Sequence, residues 1–187
     1  MPPRMVKHVA GIHASFLLAM PIGAPSTIGI RMRLLVITIF TALILPTSAR
    51  SECKVAPQPQ LETAPVEIET SAGKHLFIVE LAVTGQQRTC GLMMRKQLDP
   101  HSGMLFKQPS IGPAWFWMKN TPQPLDMLFL DKGGRVLMLA KHTIPYSKNP
   151  YGTSGNVAAV LEVTAGTASR LSIKIGDRIV FNWFEEK

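Results

Sequence analysis

AWFWMKNTPQPLDMLFLD, residues 114–131, is the stretch of this chain that says most about its fold. Apolar side chains occupy consecutive positions on either side of a bend that Pro122 and Pro124 frame. A strand that is apolar on both faces is buried on both sides, so 125–130 predicts a central strand. One carboxylate, Asp126, lies within that run, and a buried charge without a partner costs on the order of several kcal/mol. We therefore expect a polar cluster set in an aromatic wall. Such a cluster is either a binding site or an internal lock, meaning a set of buried polar contacts that holds the fold together.

The polar cluster of this segment combines Trp117, Lys119, Asn120 and Asp126. Lysine supplies a point charge and asparagine both a donor and an acceptor, so the cluster suits a small polar or anionic ligand with Trp117 as a wall. In the alternative, Asp126 caps backbone N–H groups in the bend at 120–125 and Lys119 pairs with it. The strength of the motif favours neither interpretation.

Two arginines, Arg88 and Arg95, bracket the sequence GLMM at 91–94. The planar guanidinium binds carboxylates, and the expected partners are Asp126 and Glu162, which lies within the apolar run AVLEV. Arg95 and Glu162 therefore join the predicted ligand-binding residues. In the alternative, both arginines form intramolecular ion pairs and take no part in binding.

Strand and turn signals dominate the rest of the chain. Residues 50–65 are proline-rich and predict an extended arm, and 66–187 predict a single globular domain. Thr84 and Gln87 have the spacing of a capping box, which predicts a short helix. Many short strands with regular turns indicate a mainly β (β-rich α+β), compact, sandwich-like or barrel-like domain with one or two short helices. We expect 142–157 to be a long loop.

Residues 1–49 predict a leader that precedes the domain. A basic start at Met32 and Arg33, twelve uncharged residues at 34–45 and small residues up to Ala49 make a secretory signal. We therefore predict a signal peptide at 32–49 that is cleaved after Ala49, and mis-called upstream sequence or an extended leader at 1–31. The apolar run is shorter than the roughly 20 residues of a membrane span, so the expected location is the periplasm or the exterior.

The charge of the mature chain makes nucleic acid an unexpected partner. Residues 1–49 hold four basic and no acidic residues, so the formal net charge of +8 falls to +4 for 50–187. The remaining Lys and Arg residues are scattered, whereas nucleic-acid binding usually shows a clustered basic patch.

The two cysteines, Cys53 and Cys90, are an even pair, which in an oxidising compartment predicts a disulfide. The bond would join the arm to the element that carries GLMM, and loop entropy gives it roughly 3–4 kcal/mol. In the alternative, both are free thiols and Cys90 is a small buried apolar residue.

Patterns for metal binding and catalysis are missing from the sequence. His75, His101 and His142 lack metal-ligand spacing, and the methionines lie in apolar runs that predict core packing rather than a Cu(I) site. We see neither a nucleophile elbow nor a phosphate loop, so we expect no cofactor. Catalysis stays open, because Asp126 and Glu162 could meet in space for acid–base chemistry.

Three motifs carry a resemblance to a known family. FWMKNTPQPLDMLFLD ends at Asp131, GLMMR occupies 91–95, and GMLF occupies 103–106. From about Glu67 to about Phe181 the chain resembles the bacterial and archaeal family called domain of unknown function 192. The resemblance implies a small β-rich, sandwich-like fold, and it implies no established reaction.

These observations predict a periplasmic or secreted, non-catalytic binding module for a small polar or anionic ligand or an envelope component. The predicted ligand-binding residues are Arg95, Trp117, Lys119, Asn120, Asp126 and Glu162. One alternative is an envelope hydrolase that uses Asp126 or Glu162 on a carbohydrate or peptide. Another is a structural or accessory partner of an envelope assembly that makes contact through 142–157.

Overall fold

Seven strands form one sheet within the part of the chain that the computed structural model describes, which is Cys53 and residues 57–184. The strands are β1 (Thr63–Thr70), β2 (Gly73–Ala82), β3 (Ser102–Phe116), β4 (Leu125–Leu130), β5 (Val136–Ala140), β6 (Tyr151–Thr164) and β7 (Arg178–Val180). Two short helices accompany them, α1 (Gly85–Cys90) and α2 (Thr167–Arg170). The prediction of a mainly β domain with one or two short helices is confirmed.

The sheet curls until its two edges meet. Its strand order is β5-β4-β6-β3-β2-β1-β7, and β2 and β3 form a parallel pair within an otherwise antiparallel sheet. Arg135, just before β5, bridges to Arg178 of β7, and the Ile179 N–H donates to the Gly134 carbonyl at 2.8 Å. A side chain at Gly134 would collide with the Ile179 backbone, so glycine permits the edges to close. These few backbone bonds join the ends of the two edge strands and make the curled sheet barrel-like.

Two apolar layers lie on opposite faces of the central strands β4, β6 and β3. The inner core fills the barrel and includes Phe77, Leu105, Leu128, Leu130 and Leu161. The outer core lies on the other face and includes Met104, Phe106, Met127, Phe129 and Val160. Every residue of β4 is buried, as its apolar sequence predicted.

Helix α1 and the residues after it cover the outer core. The Thr84 hydroxyl accepts from the Gln87 N–H, and the Gln87 side chain accepts from the Thr84 N–H, so the predicted capping box is present. The helix ends at Cys90 with Gly91 as its C-cap, and Leu92 then packs into the outer core. This short helix thus positions its end beside the face that carries Glu162.

The strands differ from the sequence-based prediction in two places. The sequence pattern predicts two separate strands at 104–106 and 114–118, but β3 is one irregular strand of fifteen residues with register shifts between Lys107 and Ala114. β6 begins at Tyr151, inside the predicted loop at 142–157, because its first residues pair with the end of β3. The backbone N–H and C=O groups of these residues find their hydrogen-bond partners far away in sequence, so a local sequence pattern could not predict the strand.

The predicted arm at 50–65 is also shorter than expected, because β1 begins at Thr63, which pairs with Glu80. A disulfide joins Cys53 to Cys90, with their Cα atoms 5.3 Å apart, and so attaches the arm to the end of α1.

The predicted signal peptide at 32–49, its cleavage after Ala49 and the segment 1–31 lie outside the described residues and stay predictions. Within the described part of the chain, neither helix has the length and apolar character needed to cross a membrane.

Candidate functional site

Asp126 is part of the fold rather than of an open pocket. It is fully buried on the inner face of β4, and its two oxygens accept from the His142 and Ala168 N–H groups, each at 2.8 Å. These bonds attach the segment after β5 and the start of α2 to the central strand. The predicted lock therefore exists, but the capped N–H groups are not in the bend at 120–125.

The pairing of Lys119 with Asp126 is not found among the described residues. The Lys119 ammonium lies 5.1 Å from the ring centroid of Trp117, in a cation–π contact. Asn120 has a positive φ of 56°, and its carbonyl accepts from the Met94 N–H at 2.7 Å. Asparagine tolerates this left-handed conformation better than most residues, so Asn120 shapes the turn after β3.

Arg95 pairs with Glu80 instead of the expected Asp126 or Glu162. Both terminal guanidinium nitrogens donate to the carboxylate, with Nη2 and Oε2 2.9 Å apart, and the Leu61 N–H donates to the same carboxylate at 2.8 Å. The pair holds the chain before β1 against β2 and the GLMMR segment. Glu80 was missed by the sequence analysis, although an acid inside the apolar run FIVELA is the same signal that marked Glu162.

A cleft of about 400 Å³ opens beside the outer core, between α1 and the ends of β3. Among the residues that line it are Arg88 and Cys90 of α1, Phe106, Trp115 and Trp117 of β3 and its continuation, and Glu162 of β6. Its volume lies within the range of roughly 300–1,000 Å³ that is typical of small-molecule sites.

Glu162 is the most unusual residue of this cleft. Its side chain is almost entirely buried, with 5% of the residue exposed, and no described residue donates to its carboxyl group or pairs with it. Its neighbours on the adjacent strands are Met104 and Met127, which offer no donor. Burial raises the pKa of Glu162 to about 8, because the charged form loses its hydration.

Arg88, on α1, supplies a positive charge to the lining of the same cleft. One guanidinium nitrogen donates to the Val83 carbonyl, and Arg88 forms no ion pair with any described acid, Glu162 included. The ion pair between Arg88 and an internal acid that the sequence suggested is therefore absent from the described residues. The remaining guanidinium donors of Arg88 are available to a ligand.

Aromatic rings form the remaining wall. Phe106 and Phe116 pack edge to face at 5.1 Å, and Phe116 packs on Phe129 in the same way at 5.9 Å, so this part of the wall is fixed by the outer core. Trp115 and Trp117 are 59% and 47% exposed, which is high for large apolar side chains. The cleft thus presents indole surface beside a buried carboxyl.

The sheet separates the two acids that were predicted to meet. In the pairing of β4 with β6, Asp126 is opposite Val163 and Met127 is opposite Glu162. Because successive side chains alternate between faces, Asp126 points to the inner core and Glu162 to the outer one. The two cannot act as an acid–base pair, which corrects that part of the hydrolase hypothesis.

The structure thus places two of the predicted ligand-binding residues, Trp117 and Glu162, on one cleft. Arg95, Lys119, Asn120 and Asp126 are not among the residues that line it. The sequence analysis missed Trp115 and Phe106 as wall residues. No group of three or more His, Cys, Asp or Glu side chains suited to a metal ion occurs in the described ranges.

Comparison with protein families gives a match over residues 67–181 to the model DUF192, described as "Uncharacterized ACR". The chain belongs to the DUF192 family. The match spans the barrel from β1 to the residue after β7, and it includes the cleft, so the site described above lies within the DUF192 domain. Among curated proteins, no match to this chain was found.

Two solved structures share this DUF192 fold. A protein of unknown function from Novosphingobium aromaticivorans DSM 12444 is 38% identical, with a TM-score of 0.64, and the match covers 68% of this chain and 91% of that one. A putative transcription regulator from Sinorhizobium meliloti 1021 is 40% identical, also with a TM-score of 0.64, and the match covers 66% of this chain and 96% of that one. Neither description names a ligand or a reaction.

Proposed function

We propose that this DUF192 domain is a non-catalytic binding module that holds a small polar ligand in the cleft beside Glu162. The observation that carries the proposal is a buried carboxyl group that lines a cleft and has no partner among the described residues. The Glu162 oxygens are not among the fully buried atoms that lack a partner, so they reach the cleft, and the partial loss of their hydration still costs free energy. An apolar residue packed between Met104 and Met127 would avoid this cost, so the carboxyl is better explained by a ligand than by the fold.

The acids elsewhere in the sheet support this distinction. Asp126 and Glu80 are as deeply buried as Glu162, but each accepts hydrogen bonds that join separate segments of the chain. Both are therefore explained by the fold, and Glu162 is not. The cleft also offers indole surface from Trp115 and Trp117, which suits the apolar part of a small molecule.

The hydrolase alternative has less support. Hydrolysis of glycosides usually requires two carboxyl groups that flank one bond, and Glu162 is the one acid among the described residues that line the cleft.

A location in the periplasm or outside the cell fits the Cys53–Cys90 disulfide, because such bonds persist in oxidising compartments. That location remains part of the proposal.

The proposal is tested by thermal unfolding of the oxidised protein against a panel of sugars, amines, carboxylates, amino acids and short peptides. A genuine ligand raises the midpoint of the wild type, and Glu162→Gln loses this shift while keeping its fold. Glu69→Gln is the matched control, since Glu69 lies on β1 and pairs with the exposed Lys74. If no compound raises the midpoint, or if each shift survives in Glu162→Gln, the cleft is not the binding site.

The accessory-partner hypothesis depends on a different surface. Ile144 and Tyr146 follow β5 and are largely exposed, within what remains of the predicted loop. A photo-crosslinker at Tyr146 that captures one discrete envelope protein would favour this function, and an uncrosslinked monomer would count against it.

A further inference from the structure

We infer that the ligand is a small zwitterion whose ammonium group lies against Glu162 and the indole wall, and whose carboxylate or phosphate group meets Arg88. This inference rests on the proposed binding function and specifies the ligand class of the same cleft. Glu162 and Arg88 line one cleft of about 400 Å³ and do not pair with each other. An acid and a guanidinium that lie in one cleft without pairing are complementary to a molecule that carries an ammonium group at one end and an anionic group at the other, and the ammonium favours ionisation of the acid.

The Glu162 end suits an ammonium group. A cation beside this carboxylate would supply the ion pair and hydrogen bonds that no described residue provides, and a buried charge is retained when it is paired. Indole faces attract cations through the ring quadrupole, most strongly when water is excluded. The Lys119 ammonium already occupies one such contact over Trp117, so Trp115 supplies the indole surface for the ligand ammonium.

The Arg88 end suits an anion. Arginine presents several donors in a planar fork that matches a carboxylate or phosphate, and one of them is occupied by the Val83 carbonyl. Arg88 lies on α1, on a different element from Glu162, so the two ends of the ligand would be held by a helix and a strand.

Other ligand classes fit less well. A neutral sugar could stack on the indoles but would leave Arg88 without a charge partner. A simple anion would lie in the same cleft as the Glu162 carboxyl. The negative charge of that anion would favour the protonated form of Glu162 and would leave the carboxyl without a cation as partner. Of the described residues that line the cleft, Arg88 and Glu162 are the two ionisable ones besides the disulfide-bonded Cys90, the strand neighbours Met104 and Met127 carry no charge, and the Lys119 ammonium lies over Trp117.

Binding of an ammonium group should also release a proton. At neutral pH the Glu162 carboxyl is mostly protonated in the free protein, because burial raises its pKa to about 8. An ammonium beside the group favours the charged form and lowers this pKa, so affinity rises with pH by up to about tenfold per pH unit below the free pKa. Above that pKa the affinity levels off.

Isothermal titration calorimetry on the oxidised full-length protein tests the inference with defined probes. The zwitterions are β-alanine, γ-aminobutyrate, glycine betaine and phosphocholine, and the matched single-charge and neutral probes are butylamine, butyrate and glucose. We expect one or more zwitterions to bind at least about tenfold more tightly than any of the other three, which corresponds to about 1.4 kcal/mol. We expect Glu162→Gln and Arg88→Gln each to weaken that binding at least about tenfold, and Glu69→Gln to leave it unchanged.

Each alternative outcome separates the ligand class from the binding function. Glucose binding that Glu162→Gln abolishes would overturn the zwitterion inference and retain the cleft as a binding site. Butyrate binding that depends on Arg88 but not on Glu162 would overturn the inference and also the role of Glu162. If none of the seven probes binds, the zwitterion inference fails, and the broader thermal-shift panel decides the binding function separately. Proton release that is measured in two buffers and is absent from Glu162→Gln would support the inference.

Discussion

Asp126 and Glu162 lie on opposite faces of the same sheet, although their strands are neighbours and their positions differ by one residue in register. Asp126 faces the inner core and accepts hydrogen bonds from two backbone N–H groups. Glu162 faces the outer core and a cleft, and no described residue partners it. Asp126 and Glu162 are similar acids in similar apolar sequences, but the strand pairing places them on opposite faces. Asp126 therefore stabilises the fold, and Glu162 belongs to the proposed site.

Replacing Asp126 should destabilise the fold. Asp126→Asn keeps the shape but leaves a buried N–H group, from His142 or Ala168, facing an amide NH₂ group. Because hydrogen bonds to charged groups contribute about 1.5–3 kcal/mol, we expect the free energy of unfolding in urea to fall by about 3 kcal/mol. Glu69→Gln serves as the control, and a loss below about 1 kcal/mol would contradict the assigned role.

The Arg95–Glu80 pair should be coupled. Both side chains are largely buried, and Glu80 also accepts from the Leu61 N–H, so removing either partner leaves a charge with poor compensation. We expect Arg95→Gln and Glu80→Gln each to lower the free energy of unfolding by about 2–4 kcal/mol. The double variant should lose less than the sum of the two, with a coupling energy of at least about 1 kcal/mol. Strict additivity would show that the pair contributes nothing specific.

Stability should decrease as pH rises, and Glu162 should cause part of the decrease. Its pKa is raised from 4.5 in a model compound to about 8 in the folded protein, so the folded state holds this proton more tightly than the unfolded state. The bound proton of Glu162 stabilises the folded state fully at pH values below the pKa of the unfolded state. This stabilisation is lost as the pH rises through the pKa of the folded state, at no more than about 1.4 kcal/mol per pH unit. Urea unfolding at about pH 5, 7 and 9 should show this slope in the wild type, and Glu162→Gln should remove the Glu162 contribution. Equal slopes in both proteins would place Glu162 in a solvated environment.

The disulfide should stabilise the domain and its cleft together. Cys53 and Cys90 are 37 residues apart, which by loop entropy corresponds to about 3–4 kcal/mol. Because Cys90 lines the cleft and the Gln58 side chain donates to the Gly91 carbonyl at 2.8 Å, the bond holds the arm over the end of α1. We expect dithiothreitol to lower the thermal midpoint of the wild type by roughly 10 °C and to leave the Cys53→Ser/Cys90→Ser protein unchanged. Equal midpoints for oxidised and reduced wild type would argue against a stabilising bond.

The sequence by itself determined the features that depend on neighbouring residues. The capping box of Thr84 and Gln87 is a local set of hydrogen bonds, and its spacing alone predicted the helix. The unbroken apolar run of β4 predicted burial on both sides, because side chains alternate along any strand. The three motifs indicated the family, and the model match over residues 67–181 confirmed it.

The tertiary structure alone decided which residues meet. The sequence could mark Asp126, Arg95 and Glu162 as polar groups in apolar surroundings, but it could not say that Arg95 meets Glu80 or that Asp126 meets the Ala168 N–H. Partners so far apart along the chain are set by sheet order and register, and a shift of one residue exchanges the two faces. The cleft depends on the same pairing, because it forms where α1, the end of β3 and Glu162 of β6 come together.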